Sequence, residues 1–133
     1  MKISECFDLR EFTRSDTATR KSIANDPGLQ EIKAIENLVV NLLQPLRDLY
    51  GKPLRINSGY RSPELNKQVG GVVASQHVKG EAADVACESP DKLIECLRCS
   101  GLDFDQCIRY STFVHLSLKL NGRNRQQYLK GGY

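Results

Sequence analysis

At 133 residues, 40% hydrophobic and 26% charged, the chain has the length and composition of one globular domain able to bury a core without disulfides. Nineteen Lys and Arg against sixteen Asp and Glu leave a net charge of +3, too small a surplus to predict nucleic-acid binding, although NGRNRQQYLKGGY is locally basic. No apolar run approaches the ~18 residues of a membrane span, and MKISECFDLREF lacks the apolar stretch of a secretion signal, so the expectation is one monomeric domain over 1–133, made in the cytosol, without nucleic-acid or membrane partners.

Along the chain, RSDTATRKSIAND predicts a short polar helix or turn. The clearest helix is predicted from Pro27 to Tyr50, because Ile32, Ile35, Val39, Leu42, Leu46 and Leu49 recur at spacings of three and four and so share one face. NDPG marks its start, with Asp26 able to cap and Pro27 pre-set for the first turn, and Pro45 should bend the helix or end its first part. After Gly51 the pattern shifts to short extended pieces around LRINSGY, AADVAC and FVHLSLKL, with a helix predicted in SPELNKQVG. SPDKLIECLRCSG reads as another helix, with Ser89 as N-cap, Pro90 at the first position and Gly101 past the last turn. Together these predict an α+β fold: a long N-terminal helix packed on a short antiparallel sheet.

Five cysteines make an odd count, and with no secretion signal they read as reduced thiols. Cys96 and Cys99 have C-x-x-C spacing but lie on a predicted helix with no second thiol pair, so buried helical cysteines are the simpler expectation.

The chemistry concentrates around the two histidines. In FVHLSLKL, Val114, Leu116, Leu118 and Leu120 alternate with Phe113, His115, Ser117 and Lys119, so one face packs inward while His115 projects from the more polar face. His77 lies in SQHVKGEAAD, where Gly80 allows a bend, Ala82 and Ala83 allow close packing, and Asp84 begins an apolar strand. A catalytic zinc site commonly takes three nitrogen or oxygen ligands and keeps a fourth position open, and His77, Asp84 and His115 could supply them. On spacing alone the alternative is equally good: a surface His77, an Asp84 that caps a turn or pairs with an arginine, and a hydrogen-bonded strand His115.

SQHVKGEAAD fits S-x-H-x-x-G-x-A-x-D at Ser75, His77, Gly80, Ala82 and Asp84, follows INSGYRSPELNKQVGG and precedes FVHLSL. In these motifs the chain resembles the M15 family of zinc D,D-carboxypeptidases and endopeptidases, in particular short phage-type members that cut peptidoglycan peptides. The likeness extends from FDLREFTRSDTATR through LLQPLRDLYGKPLRINSGYRSPELN to GLDFDQ and NRQQYL. The resemblance implies one Zn2+ per chain held by His77, Asp84 and His115, Arg61 as the catalytic arginine at the scissile bond, and Ser75 as a substrate contact, with Tyr60 and Gln76 as further candidate substrate contacts. It also implies a peptidoglycan stem peptide as substrate, reached through a phage lysis system.

One departure from the family pattern stands out. Many members carry a Glu or Asp a few residues before the final histidine as the general base, whereas here CIRYSTFV precedes His115 and holds no carboxylate. Asp105, in GLDFDQ, reads as a structural or turn carboxylate, and Glu81 is expected to face solvent. The rival expectation is therefore a non-catalytic zinc-binding module of the same fold that binds wall peptides or a protein partner.

Overall fold

In the computed structural model, which describes residues 1–71 and 75–131, the chain begins with two short helices, α1 (Leu9–Thr13) and α2 (Asp16–Lys21). Ser15 caps α2 by accepting from Ala18 N, which places the expected polar helix. The following helical rod comprises α3 (Leu29–Leu38), a π-helical turn (Val39–Leu43) and α4 (Gln44–Tyr50). It starts at Gly28 rather than at Asp26, because the Glu31 carboxylate accepts from Gly28 N at 3.0 Å and satisfies the first turn.

The helix predicted from Pro27 to Tyr50 is not continuous: where Pro45 is expected to bend it or end its first part, the rod takes a π-helical turn. Pro45 has no N–H to give to the carbonyl four residues back, and the turn before it widens to the π pattern, with Gln44 N bonding Val39 O. The inserted turn also moves the apolar face. Leu38 and Leu43 join Ile35, Val39, Leu42 and Leu46 in the core, whereas Leu49 is left 57% exposed.

The described residues include five strands, β1 (Arg55–Ser58), β2 (Ala82–Ala86), β3 (Gln106–Arg109), β4 (Val114–Ser117) and β5 (Gln127–Lys130). They form one sheet in the order β1-β2-β4-β3-β5. Three junctions are antiparallel, but β5 runs parallel to β3, so the sheet is mixed rather than purely antiparallel. Two more helices connect strands: α5 (Pro63–Gln68), capped by Ser62, and α6 (Pro90–Ser100), closed by Gly101 in the left-handed region at φ 74°. Both agree with their predicted punctuation. Of the two α6 thiols, Cys96 is half-buried and Cys99 exposed, against the expectation that both are buried; all five cysteines are free.

The helical rod, α1 and α6 cover one face of the sheet. Phe7, Phe12, Leu42, Leu46, Leu97, Val114 and Leu116 belong to one continuous core. Fully burying a leucine or phenylalanine contributes about 1.5–3 kcal/mol, so this layer gives the sheet the rigidity a site needs. No helix among the described residues is long and apolar enough to cross a membrane.

Candidate metal centre

The register of the sheet builds half of the site. In the β2–β4 ladder Asp84 lies directly opposite His115, so their side chains leave the same face side by side. Val114 and Leu116 point the other way into the core. The His115 face is itself covered: all four β4 residues are buried, Ser117 completely. Ser117 Oγ accepts from Gln106 N, and its carbonyl accepts from Asp105 N.

The turn before β2 supplies His77. Ser75 Oγ accepts from His77 N at 3.2 Å, and Gly80 N donates to His77 O. Gly80 sits at φ 76°, and a Cβ there would come within 2.6 Å of Glu31 O, so the turn can adopt this conformation and rest on α3 only with glycine. Glu81 does not simply face solvent. Its Oε2 accepts from Leu120 N at 3.0 Å, tying the turn to the segment after β4.

His77 and the segment after β1 lock together. Gly59 O accepts from His77 Nδ1 at 2.7 Å, and Arg61 N donates to His77 O at 3.1 Å. These bonds bring Arg61 beside the histidine. Its guanidinium donates to Ser58 Oγ and Asn66 Oδ1, and its Nη2 lies 3.7 Å from Asp84 Oδ2. Burial draws the Arg61 pKa down, opposed by the Asp84 charge.

The result is a compact trio. His77 Nε2 and His115 Nδ1 lie 3.4 and 3.0 Å from the same Asp84 oxygen, Oδ1. One ligand atom from each of His77, Asp84 and His115 falls within 4.8 Å of the others, and all three side chains are largely buried. A carbonyl can only accept, so the bond to Gly59 O fixes the proton of a neutral His77 on Nδ1 and leaves the Nε2 lone pair facing the carboxylate. Electron-rich atoms so crowded in a buried site require a cation or a proton between them.

Zinc bonds of about 2.0–2.1 Å at tetrahedral angles separate ligand atoms by roughly 3.3 Å. The two spacings to Asp84 Oδ1, 3.4 and 3.0 Å, are close to this, and the donor set of two imidazoles and one carboxylate suits such an ion. Burial raises the Asp84 pKa, whereas a proton on the facing nitrogen of the His115 or His77 ring lowers it and holds the carboxyl well below the usual range. Asp84 is therefore an anion.

An open cleft of about 530 Å³ lies over the trio. Arg61, Ser75, Gln76, Gln106, Tyr110 and Arg125 contribute to its wall, and Tyr110 stacks on Phe113 at a ring separation of 4.6 Å. Tyr60 is absent from this lining. It is 6% exposed in the core, with its main chain bonded to Phe12 and Asn25, so the structure does not bring it to the cleft with the other candidates. Gln76 does line the cleft, although its amide is already engaged with His115 and Asp105. Asp84 is the one carboxylate among the described lining residues, so the base expected before His115 has no acidic substitute there.

Two features escaped the sequence reading. The Gly59 carbonyl that orients His77 is a main-chain atom and has no side-chain signature. The Asp105–Arg125 pair, with Arg125 Nη2 2.7 Å from Asp105 Oδ2, forms where β5 enters beside β3. The only hint of it was the joint presence of GLDFDQ and NRQQYL.

An α+β sheet that carries a buried His-Asp-His trio at the floor of an open cleft has the layout of a mononuclear metal centre with an accessible position. Residues 5–117 match the family model described as Peptidase M15, and the chain belongs to that family. Among curated relatives, Peptidoglycan L,D-endopeptidase MepK of Escherichia coli strain K12 is 29% identical over 125 residues, covering 85% of this chain and 67% of that protein. The protein of the same name from Shigella flexneri matches to the same extent. Zinc D-Ala-D-Ala carboxypeptidase of Streptomyces albus G is 44% identical over 48 residues, 35% of this chain and 19% of that protein.

Proposed function

We propose that this protein is a zinc-dependent peptidase that hydrolyses peptide bonds in the stem or cross-link peptides of bacterial peptidoglycan. The observation that carries this reading is the convergence of His77 Nε2, His115 Nδ1 and Asp84 Oδ1 at the floor of a cleft open to substrate. Family membership and the names of the relatives support the substrate class. The relative that covers most of the chain is named an L,D-endopeptidase, so an L,D bond is the first substrate to test, ahead of D-Ala-D-Ala.

When bound, zinc supplies Lewis acidity toward a carbonyl and lowers the pKa of water from 15.7 to about 7. The protein's part is to position and to screen. His77, Asp84 and His115 would hold the ion, the two histidines oriented by their bonds to Gly59 O and the Gln76 amide. Arg61 borders the same point through Asp84 Oδ2, and its guanidinium is anchored by Ser58 and Asn66. From there it can donate to an oxygen that gains negative charge in the transition state, an effect worth about 2.7–4 kcal/mol for one well-aimed donor. Ser75 and the stacked Tyr110 and Phe113 border the cleft where a peptide would lie.

The test is peptide release from purified peptidoglycan carrying L,D and D,D cross-links, with metal-loaded and chelated protein. Release should vanish with chelator and return with zinc, while Arg61→Ala should keep its zinc and lose about 10²–10³-fold in turnover. Unchanged turnover would remove Arg61 from the chemistry. A second reading, a zinc module that binds wall peptides without cutting them, is favoured by one observation: no carboxylate other than Asp84 lines the described cleft. Stoichiometric zinc binding with no release from any cross-link would select it.

A further inference from the structure

Asp105 is 0% exposed, and every polar contact to its carboxylate comes from a donor. Oδ1 accepts from Arg125 N and Nε at 2.9 and 3.0 Å, with Lys119 Nζ at 3.8 Å. Oδ2 accepts from Arg125 Nη2 at 2.7 Å and from Gln76 Nε2 at 2.6 Å. An ionised carboxylate offers only acceptors, so the Gln76 amide has no choice of orientation: its NH2 faces Asp105. Its carbonyl oxygen then faces His115 Nε2 at 3.1 Å. Two acceptors cannot share that contact, so Nε2 carries a proton. The free lone pair of a neutral His115 is thereby placed on Nδ1, the atom 3.0 Å from Asp84 Oδ1.

We propose that Gln76 is a positioning residue for the metal centre, relaying the fixed polarity of the Asp105–Arg125 pair to His115 so that the ring keeps its Nε2 proton and presents Nδ1 to the cation. This rests on the reading of His77, Asp84 and His115 as ligands, and it gives Gln76 a task other than substrate contact. The two histidines are then oriented by different means. His77 leans on a main-chain carbonyl that no substitution removes, whereas His115 leans on a side chain that one substitution can delete. The relay also reaches across the sheet: Arg125 lies just before β5, yet through three hydrogen bonds in series, by way of Asp105 and Gln76, it governs a ring on β4.

Outer contacts of this kind are typically worth 10–100-fold in metal affinity. The experiment compares wild-type protein with Gln76→Leu, which keeps similar bulk and deletes both amide bonds. Imidazole N–H resonances are followed by NMR in metal-free protein, and zinc affinity by chelator competition. Wild-type protein should show an exchange-protected His115 Nε2–H, lost in Gln76→Leu, while the His77 Nδ1–H held by Gly59 stays unchanged as an internal control. The zinc Kd should rise 10–100-fold. A His115 Nε2–H that remains protected in Gln76→Leu overturns the proposal whatever the affinity does. Wild-type protein that binds no zinc would instead remove the ligand reading beneath it, and the metal-free NMR result still decides the role of Gln76. Should the leucine variant not fold, Gln76→Met repeats the comparison.

Discussion

Asp84 and Asp105 are two carboxylates that the same sheet takes out of water, and they are satisfied in opposite ways. Asp105 receives everything it needs from the chain: a bidentate arginine, a main-chain N–H, a lysine nearby and the Gln76 amide. Asp84 receives one guanidinium nitrogen at 3.7 Å and two imidazole nitrogens. A buried charge needs a compensating charge. Where the fold supplies it in full the carboxylate is structural; where the fold supplies it in part the remainder must come from outside, as a proton or a metal ion. The difference between a clamp and a site thus lies in the partners rather than in the residue type.

The largest effect expected from that contrast is on stability. Asp105→Ala should cost about 3 kcal/mol in urea unfolding, because it takes the acceptor from the Arg125 main-chain N–H, the Arg125 guanidinium and the Gln76 amide at once. Asp84→Asn should change the metal-free protein by less than about 1 kcal/mol, since it removes a charge the fold only partly balances. Equal losses in the two variants would erase the distinction. The next effect is on ligand linkage. Zinc at 100 times its Kd should stabilise the wild-type protein by about 2.7 kcal/mol, read as a higher urea midpoint, and should leave Asp84→Asn unmoved.

The smallest effect is on acid sensitivity. The hydrogen bonds from Arg125 bring the Asp105 pKa down to about 2, against an ordinary value of 3.8, overcoming the opposing effect of burial. The unfolded chain therefore binds this proton more readily than the folded one. The stabilisation is full above about pH 4 and fades as pH falls toward 2, for a loss of about 2 kcal/mol. Unfolding midpoints measured across that window should show a loss about 2 kcal/mol larger in wild-type protein than in Asp105→Asn, in which Asp8 and Asp103 still titrate.

What the sequence made legible was mostly local. Ser62 and Ser89 before prolines, Gly101 in the left-handed region and the alternation around His115 each report on bonds a few residues long, and α5, α6 and β4 follow them. The motif around His77 indicated which side chains gather, and the β2–β4 register places Asp84 against His115. The less legible parts depend on distant pairing. The parallel β3–β5 junction, the seating of Asp105 by Arg125 and the main-chain bond from Gly59 to His77 involve segments with no shared local pattern. The π-helical turn in the rod is hard to read for a related reason. Pro45 predicts a break, but how the chain absorbs the missing N–H depends on the packing of Leu38 and Leu43 as much as on the proline.

The position of Arg125 has a practical consequence for trimming the protein. The match to the family stops at residue 117, beyond all three members of the trio. A fragment cut there would look complete by inspection, with His77, Asp84 and His115 all present. It would nonetheless have lost Arg125, Lys119 and β5, leaving Asp105 with no charged partner and Gln76 donating to a carboxylate that no cation holds in place. The smallest piece that contains the centre is therefore shorter than the smallest piece that can keep it in shape.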